Sequence, residues 1–199
     1  MNRLPLADRY MALRPIIRRR MDVLERDKDA LFAMVDKVPA SLLTESPGEG
    51  KWTALQAINH VYLSELLSIQ YVKHKLTKPE TIPVRRPDAW FRTLLLKWIL
   101  YSPLRFKSPP QINMWKDQPV LSLHEVKEAW AKLRKELVGL LGQHEPKFRR
   151  RLVYRQPFAG RMTLHQMLIF FKDHQAHHAR QVRNILGIVR QKSRLVTAK

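Results

Sequence analysis

From Met167 onward the chain places a seam residue every third or fourth position. Met167, Phe171, His174, His178, Gln181, Ile185 and Ile188 step by 4, 3, 4, 3, 4 and 3. That spacing puts all seven on one face of an α-helix, and a helix with such a face must bury it against other elements. Two members of the stripe are histidines one turn apart, projecting from the same side. An imidazole on a core seam needs a partner, because burying a polar ring without one is costly. A metal ion held inside a helix bundle is one such partner, and a hydrogen-bonded neighbour is another. Spacing alone leaves both open. His177 falls off the seam, turned about 100° from its neighbour, and reads as a surface residue or a neighbour of the ligands.

Three more stretches carry helical periodicity. After Pro15, the residues Ile17, Met21, Leu24, Leu31, Val35 and Val38 form a seam with Lys28 as its one gap, and Pro39 stops it. Thr53 and Gln56 form a capping box that opens a second helix to about Leu76. His60 shares a face of that helix with Leu63 and Leu67. Ser122 and Glu125 open a third helix, with Val126, Trp130, Leu133, Leu137 and Leu140 inside and Gly142 as its expected stop. Thr163 and Gln166 open the fourth, which carries the histidine seam.

Between the second and third helices, Pro79, Pro83 and Pro87 break the chain. The apolar stretch within Asp88 to Ser102, from Trp90 to Tyr101, then predicts a short helix closed by Pro103. Pro109, Pro110 and Pro119 make the remainder an extended crossover. Residues 143–162 read as a connection with some extended character at Leu152-Val153-Tyr154. The expected fold is therefore all-α: a four-helix bundle in one domain over 1–199. It has a long crossover between helices 2 and 3 that carries an extra short helix, and a basic, frayed tail from about 191.

Composition bounds the chemistry. No cysteine is present, which excludes disulfides, thiolate metal sites and a cysteine nucleophile. No Ser-His-Asp arrangement or phosphate-cradling loop stands out. The N-terminal residues show no apolar signal-peptide core, and no apolar run approaches the ~20 residues of a membrane span. A cytoplasmic location is the resulting expectation. The net charge of +20 attracts nucleic acid, anionic membranes or acidic small molecules. The basic clusters (Arg18-Arg19-Arg20, Arg85-Arg86, Arg149-Arg150-Arg151 and the C-terminal Arg190 to Lys199) are scattered, which favours solvated faces over a dedicated nucleic-acid groove. The Trp90–Tyr101 segment, flanked by Arg85, Arg86, Arg105 and Lys107, reads as a lid, a homodimer surface or a membrane-interfacial helix, with core or dimer packing preferred.

His60 is the best third ligand for His174 and His178, since it sits on another core helix among leucines. Three imidazoles suit Zn, Ni, Co or Fe(II) and leave open positions where water or a thiol is activated. Asp173 and Glu65 are weak candidates for a general base or for orienting an imidazole, with ordinary helix-surface carboxylates as the alternative. Gln181, one turn past His178, is placed to bond a metal-bound water or a buried neighbour. Asn59, off the face of His60, is assigned no role.

Two segments carry a family resemblance. Gly50-Lys51-Trp52-Thr53-Ala54-Leu55-Gln56-Ala57-Ile58-Asn59-His60-Val61-Tyr62-Leu63-Ser64-Glu65 resembles the Trp-Ser/Thr…His…Glu segment of the DinB-like superfamily of metal-binding four-helix bundles. Pro157 to Leu164 and then His174-Gln175-Ala176-His177-His178-Ala179-Arg180-Gln181-Val182 resemble its Pro-x-x-Gly-x-x-Thr lead-in and His-x-x-x-His-x-x-Gln helix. The resemblance implies a metal site of His60, His174 and His178, with nickel or zinc as the usual ion. It also implies small-molecule chemistry of the kind found in bacillithiol S-transferases and the mycothiol-dependent maleylpyruvate isomerase, in which a low-molecular-weight thiol takes part. The damage-inducible name of that superfamily implies no DNA repair.

Overall fold

A computed structural model describes residues 5–84, 119–157 and 159–197. The expected Trp90–Tyr101 helix lies outside these residues. Six α-helices, one 3-10 turn (Pro79–Thr81) and one hairpin occur among them: α1 (Leu6–Met11), α2 (Pro15–Val35), α3 (Ala40–Thr44), α4 (Ala54–Leu76), α5 (Leu123–Phe148), β1 (Tyr154–Gln156), β2 (Gly160–Met162) and α6 (Leu164–Thr197).

The helix starts follow from their caps. Thr53 Oγ1 accepts from the Gln56 N–H while Gln56 Oε1 accepts from the Thr53 N–H. Ser122 with Glu125 and Thr163 with Gln166 repeat the arrangement. Pro15 occupies the first turn of α2, where its missing N–H costs nothing.

Four long helices enclose the core, and their cross-links fix the directions. Arg14 pairs with Glu145, Phe32 meets Trp130 edge-on at 5.7 Å, and Asp36 pairs with Lys127, so α2 and α5 are antiparallel. Asn59 bonds Leu121, Tyr62 meets Trp130, and Lys73 pairs with Glu136, so α4 and α5 are parallel. Two consecutive helices can run parallel only if the chain returns along the bundle between them. α6 packs mainly on α4 and α2.

Several expectations need correction. Gly142 does not end the third helix: α5 continues through it and through Pro146 to Phe148. Gly142 is four residues before Pro146, so its carbonyl is the one the proline ring crowds and leaves without an N–H. Residues 191–197, expected to be frayed, are helical, since α6 runs to Thr197. Lys28 is no gap in the α2 seam; it is buried and its ammonium pairs with Glu25. Leu67 is 45% exposed and Ile188 is 44% exposed. The face of His60 is therefore an edge of the core, and Val189 rather than Ile188 closes the α6 seam. Residues 154–162 form a two-stranded hairpin that pairs Tyr154 with Met162, and Gly160 closes it at φ 74°. Among the described residues no helix is long and apolar enough to cross a membrane.

Candidate metal centre

The antiparallel packing of α4 against α6 brings His60 to the two histidines of α6. Ring centroids of His60 lie 5.2 Å from His174 and 4.7 Å from His178, and the latter two are 4.5 Å apart. One ligand-capable atom from each of the three lies within 4.8 Å of the others. Among the described residues this is the one cluster of three or more metal-ligating side chains.

The donor set fits a divalent ion. Two nitrogens bound tetrahedrally at ~2.0–2.1 Å stand about 3.3 Å apart, and His174 Nε2 and His178 Nε2 are separated by 3.1 Å. His178 Nδ1 is 2.7 Å from Gln181 Oε1. An amide oxygen only accepts, so Nδ1 of His178 carries the proton and Nε2 presents a lone pair. His174 Nε2–H then donates to His178 Nε2, and a metal ion would take the place of that shared proton.

Burial keeps the rings neutral. It pushes the His60 pKa down to about 4, with His177 adding to the effect. Burial also holds His174 and His178 well below the ordinary imidazole range, and the neighbouring imidazoles push the same way. Neutral imidazole is the form that binds metal. On one side the Trp52 indole lies 4.8 Å from His60 and stacks at 6.2 Å from His178. On another, Phe170 lies 5.2 Å from His174. Trp52, His60, His177 and Gln181 are partly exposed, so solvent reaches the cluster from their side.

The DinB superfamily model matches residues 24–182. The chain belongs to the DinB superfamily. No curated protein and no solved structure matched it. The matched span contains all three histidines of this superfamily member, together with Trp52 and Gln181.

Two of the other candidates, Glu65 and Asp173, lie outside the histidine cluster. Glu65 is fully buried; its Oε2 accepts from Trp130 Nε1 at 3.0 Å and its Oε1 from Arg134 Nη2 at 2.9 Å. Burial raises its pKa, with Arg134 acting against that. Asp173 is also buried and pairs with Lys172 at 2.9 Å. Neither is an ordinary surface carboxylate, and neither joins the histidine cluster. Gln181 bonds a buried neighbour, His178. His177 lies at the rim, its ring 4.9 Å from that of His178.

Two residues with clear roles carried no sequence assignment of their own. Trp52 walls the cluster; it stands in the segment that resembles the Trp-Ser/Thr…His…Glu motif, immediately before the Thr53 cap, with no role assigned to it there. Asn59 is buried, donates to the Leu55 and Leu121 carbonyls, and accepts from the Leu121 N–H. It ties the end of the crossover to α4 one residue before His60.

Proposed function

We propose that this DinB-superfamily chain is a divalent-metal protein in which His60, His174 and His178 hold nickel or zinc. We further propose that it acts on a small molecule by thiol S-transfer or hydrolysis. The observation that carries the reading is the convergence of three neutral imidazoles, from two helices, at one partly open place in the core. A divalent ion there supplies a Lewis acid that makes a water or a low-molecular-weight thiol easier to deprotonate.

The chain's own residues supply the setting. Gln181 fixes the tautomer and ring angle of His178. Trp52 and Phe170 exclude water from two sides and present apolar surface to a substrate. The positive charge of the chain favours an anionic substrate.

The test is turnover with a low-molecular-weight thiol and an electrophile, and separately with activated esters. Metal-loaded protein is compared with chelator-treated protein and with His174→Ala/His178→Ala. Turnover confined to the loaded native protein is expected. No turnover with any substrate, in protein that does hold metal, removes the enzymatic part of the reading.

A second reading draws on the C-terminal half of α6. No acidic residue follows Asp173, while Arg183, Arg190 and Arg194 are exposed beside Ile188 and Leu195. On this reading the protein is a non-enzymatic binder of nucleic acid or anionic lipid. Its binding would weaken steeply with salt and ignore His60→Ala.

A further inference from the structure

Close to the histidines, a belt of buried polar side chains crosses the core and joins all four long helices. Glu65 on α4 receives hydrogen bonds from Trp130 and Arg134 of α5. Arg134 Nη2 also reaches Gln175 Oε1 on α6 at 3.3 Å, and Gln175 Nε2 donates to the Leu24 carbonyl of α2 at 3.5 Å. Arg134 Nε lies 3.2 Å from Glu25 Oε1, and Glu25 in turn pairs with Lys28. Lys28 also lies 3.6 Å from Asp29 Oδ1 at the exposed end of the belt, so three carboxylates face two cations.

Such a belt is a poor way to gain stability. Removing ions from water is costly, and replacing a buried pair with apolar residues of similar size is often neutral or stabilising. Arg134 Nη1 is even enclosed without an acceptor, and the contact of Arg134 Nε with the half-buried Glu25 is an ion pair without hydrogen-bond geometry. What a buried charge network does provide is uniqueness. Only one axial and rotational setting of the helices satisfies these bonds together, whereas leucine against leucine tolerates sliding.

The belt is adjacent to the ligands along both chains. Gln175 directly follows His174 and precedes His178 by three residues, and Glu65 follows His60 by five. A slide or rotation of α6 against α4 therefore breaks the belt and separates the three imidazoles in the same movement. With both oxygens bonded and no exposure, Glu65 is not placed to exchange protons with a substrate.

We propose that Glu65, Arg134 and Gln175 are positioning residues that set the register of α6 against α4 and so bring the three histidines together. The proposal rests on the metal reading of that cluster, and its test separates the two.

The chain has no cysteine, so Leu67→Cys on α4 and Ile188→Cys on α6, both exposed, accept spin labels specifically. The label-to-label distance is measured by pulsed electron paramagnetic resonance in metal-free protein. Nickel affinity is measured by calorimetry in the unlabelled chain. The backgrounds are native, Glu65→Leu/Arg134→Met and Gln175→Met.

The native chain is expected to show one narrow distance. Both belt variants are expected to show a shifted or broadened distance and nickel binding about ten- to a hundredfold weaker, with the melting temperature of the double variant unchanged or raised. Should the double variant fail to fold, Gln175→Met, which leaves the Glu65–Arg134 pair intact, decides. Unchanged distances overturn the proposal, as do altered distances with unchanged nickel affinity. If the native chain binds neither nickel nor zinc, the metal reading fails on its own. In that case the metal-free distances alone judge the register: a shift supports the belt, and no change overturns it.

Discussion

The Nδ1 atom of His178 sits 2.7 Å from the Oε1 atom of Gln181, three residues along the same helix. This bond selects the tautomer that turns Nε2 towards His174 and His60. Gln181→Leu keeps the helix and removes the bond, leaving the ring free to rotate and to protonate at either nitrogen. Nickel affinity is expected to fall about ten- to a hundredfold, with circular dichroism unchanged. Calorimetric titration of the two proteins checks this, and equal affinities would show that the bond does not orient a ligand.

The neutral histidines give the metal-free protein a defined acid sensitivity. The pKa of His60 is pushed down to about 4 from an ordinary 6.5, and His174 and His178 are lowered as well. Below pH 6.5 the unfolded chain takes up protons that the folded chain refuses, so stability rises with pH in this window. The contribution is fully present above pH 6.5 and is lost as pH falls towards 4. Urea midpoints of chelator-treated protein between those limits should fall steadily with acid. The slope should be shallower in His174→Ala/His178→Ala. Identical slopes would mean that these rings do not drive the loss.

Trp52 offers an optical reporter. Its ring lies against both His60 and His178, whereas Trp130 is held in the core by Glu65. Nickel addition is expected to quench part of the tryptophan emission, and Trp52→Phe is expected to remove most of that change. A fluorescence titration reads this directly. Quenching that survives the substitution would place the ion elsewhere.

Asn59 makes a structural prediction. Its side chain satisfies both backbone groups of Leu121, where the crossover rejoins the bundle. Asn59→Ala leaves these groups unpaired and is expected to cost about 1–3 kcal/mol, measured by urea unfolding. A loss under about 0.5 kcal/mol would mean that water replaces the amide freely.

Local chemistry explains which features were legible in the sequence. The three capping boxes fixed the starts of α4, α5 and α6, because each depends on side chains three residues apart. The histidine seam was visible for the same reason. Ile188 was misplaced because a 4-3 repeat averages 3.5 residues per turn. A straight helix of 3.6 drifts about 20° per heptad, and three heptads carry Ile188 out of the core and bring Val189 in. Lys28, Glu65 and Asn59 were misjudged because their partners are distant in the chain or in the same polar belt. Periodicity sees apolar residues and is blind to a buried charge that another buried charge offsets. Trp52 lies just outside a helix, where no periodic signal reaches it.

The most direct test of the three-histidine site is the metal content of the purified protein. Elemental analysis would be run on protein prepared without an affinity tag or chelator, beside the His174→Ala/His178→Ala variant. The expected result is near-stoichiometric nickel or zinc in the native chain and its loss in the variant. Native protein that holds no metal, and takes up none on incubation with either ion, would contradict a metal site at His60, His174 and His178.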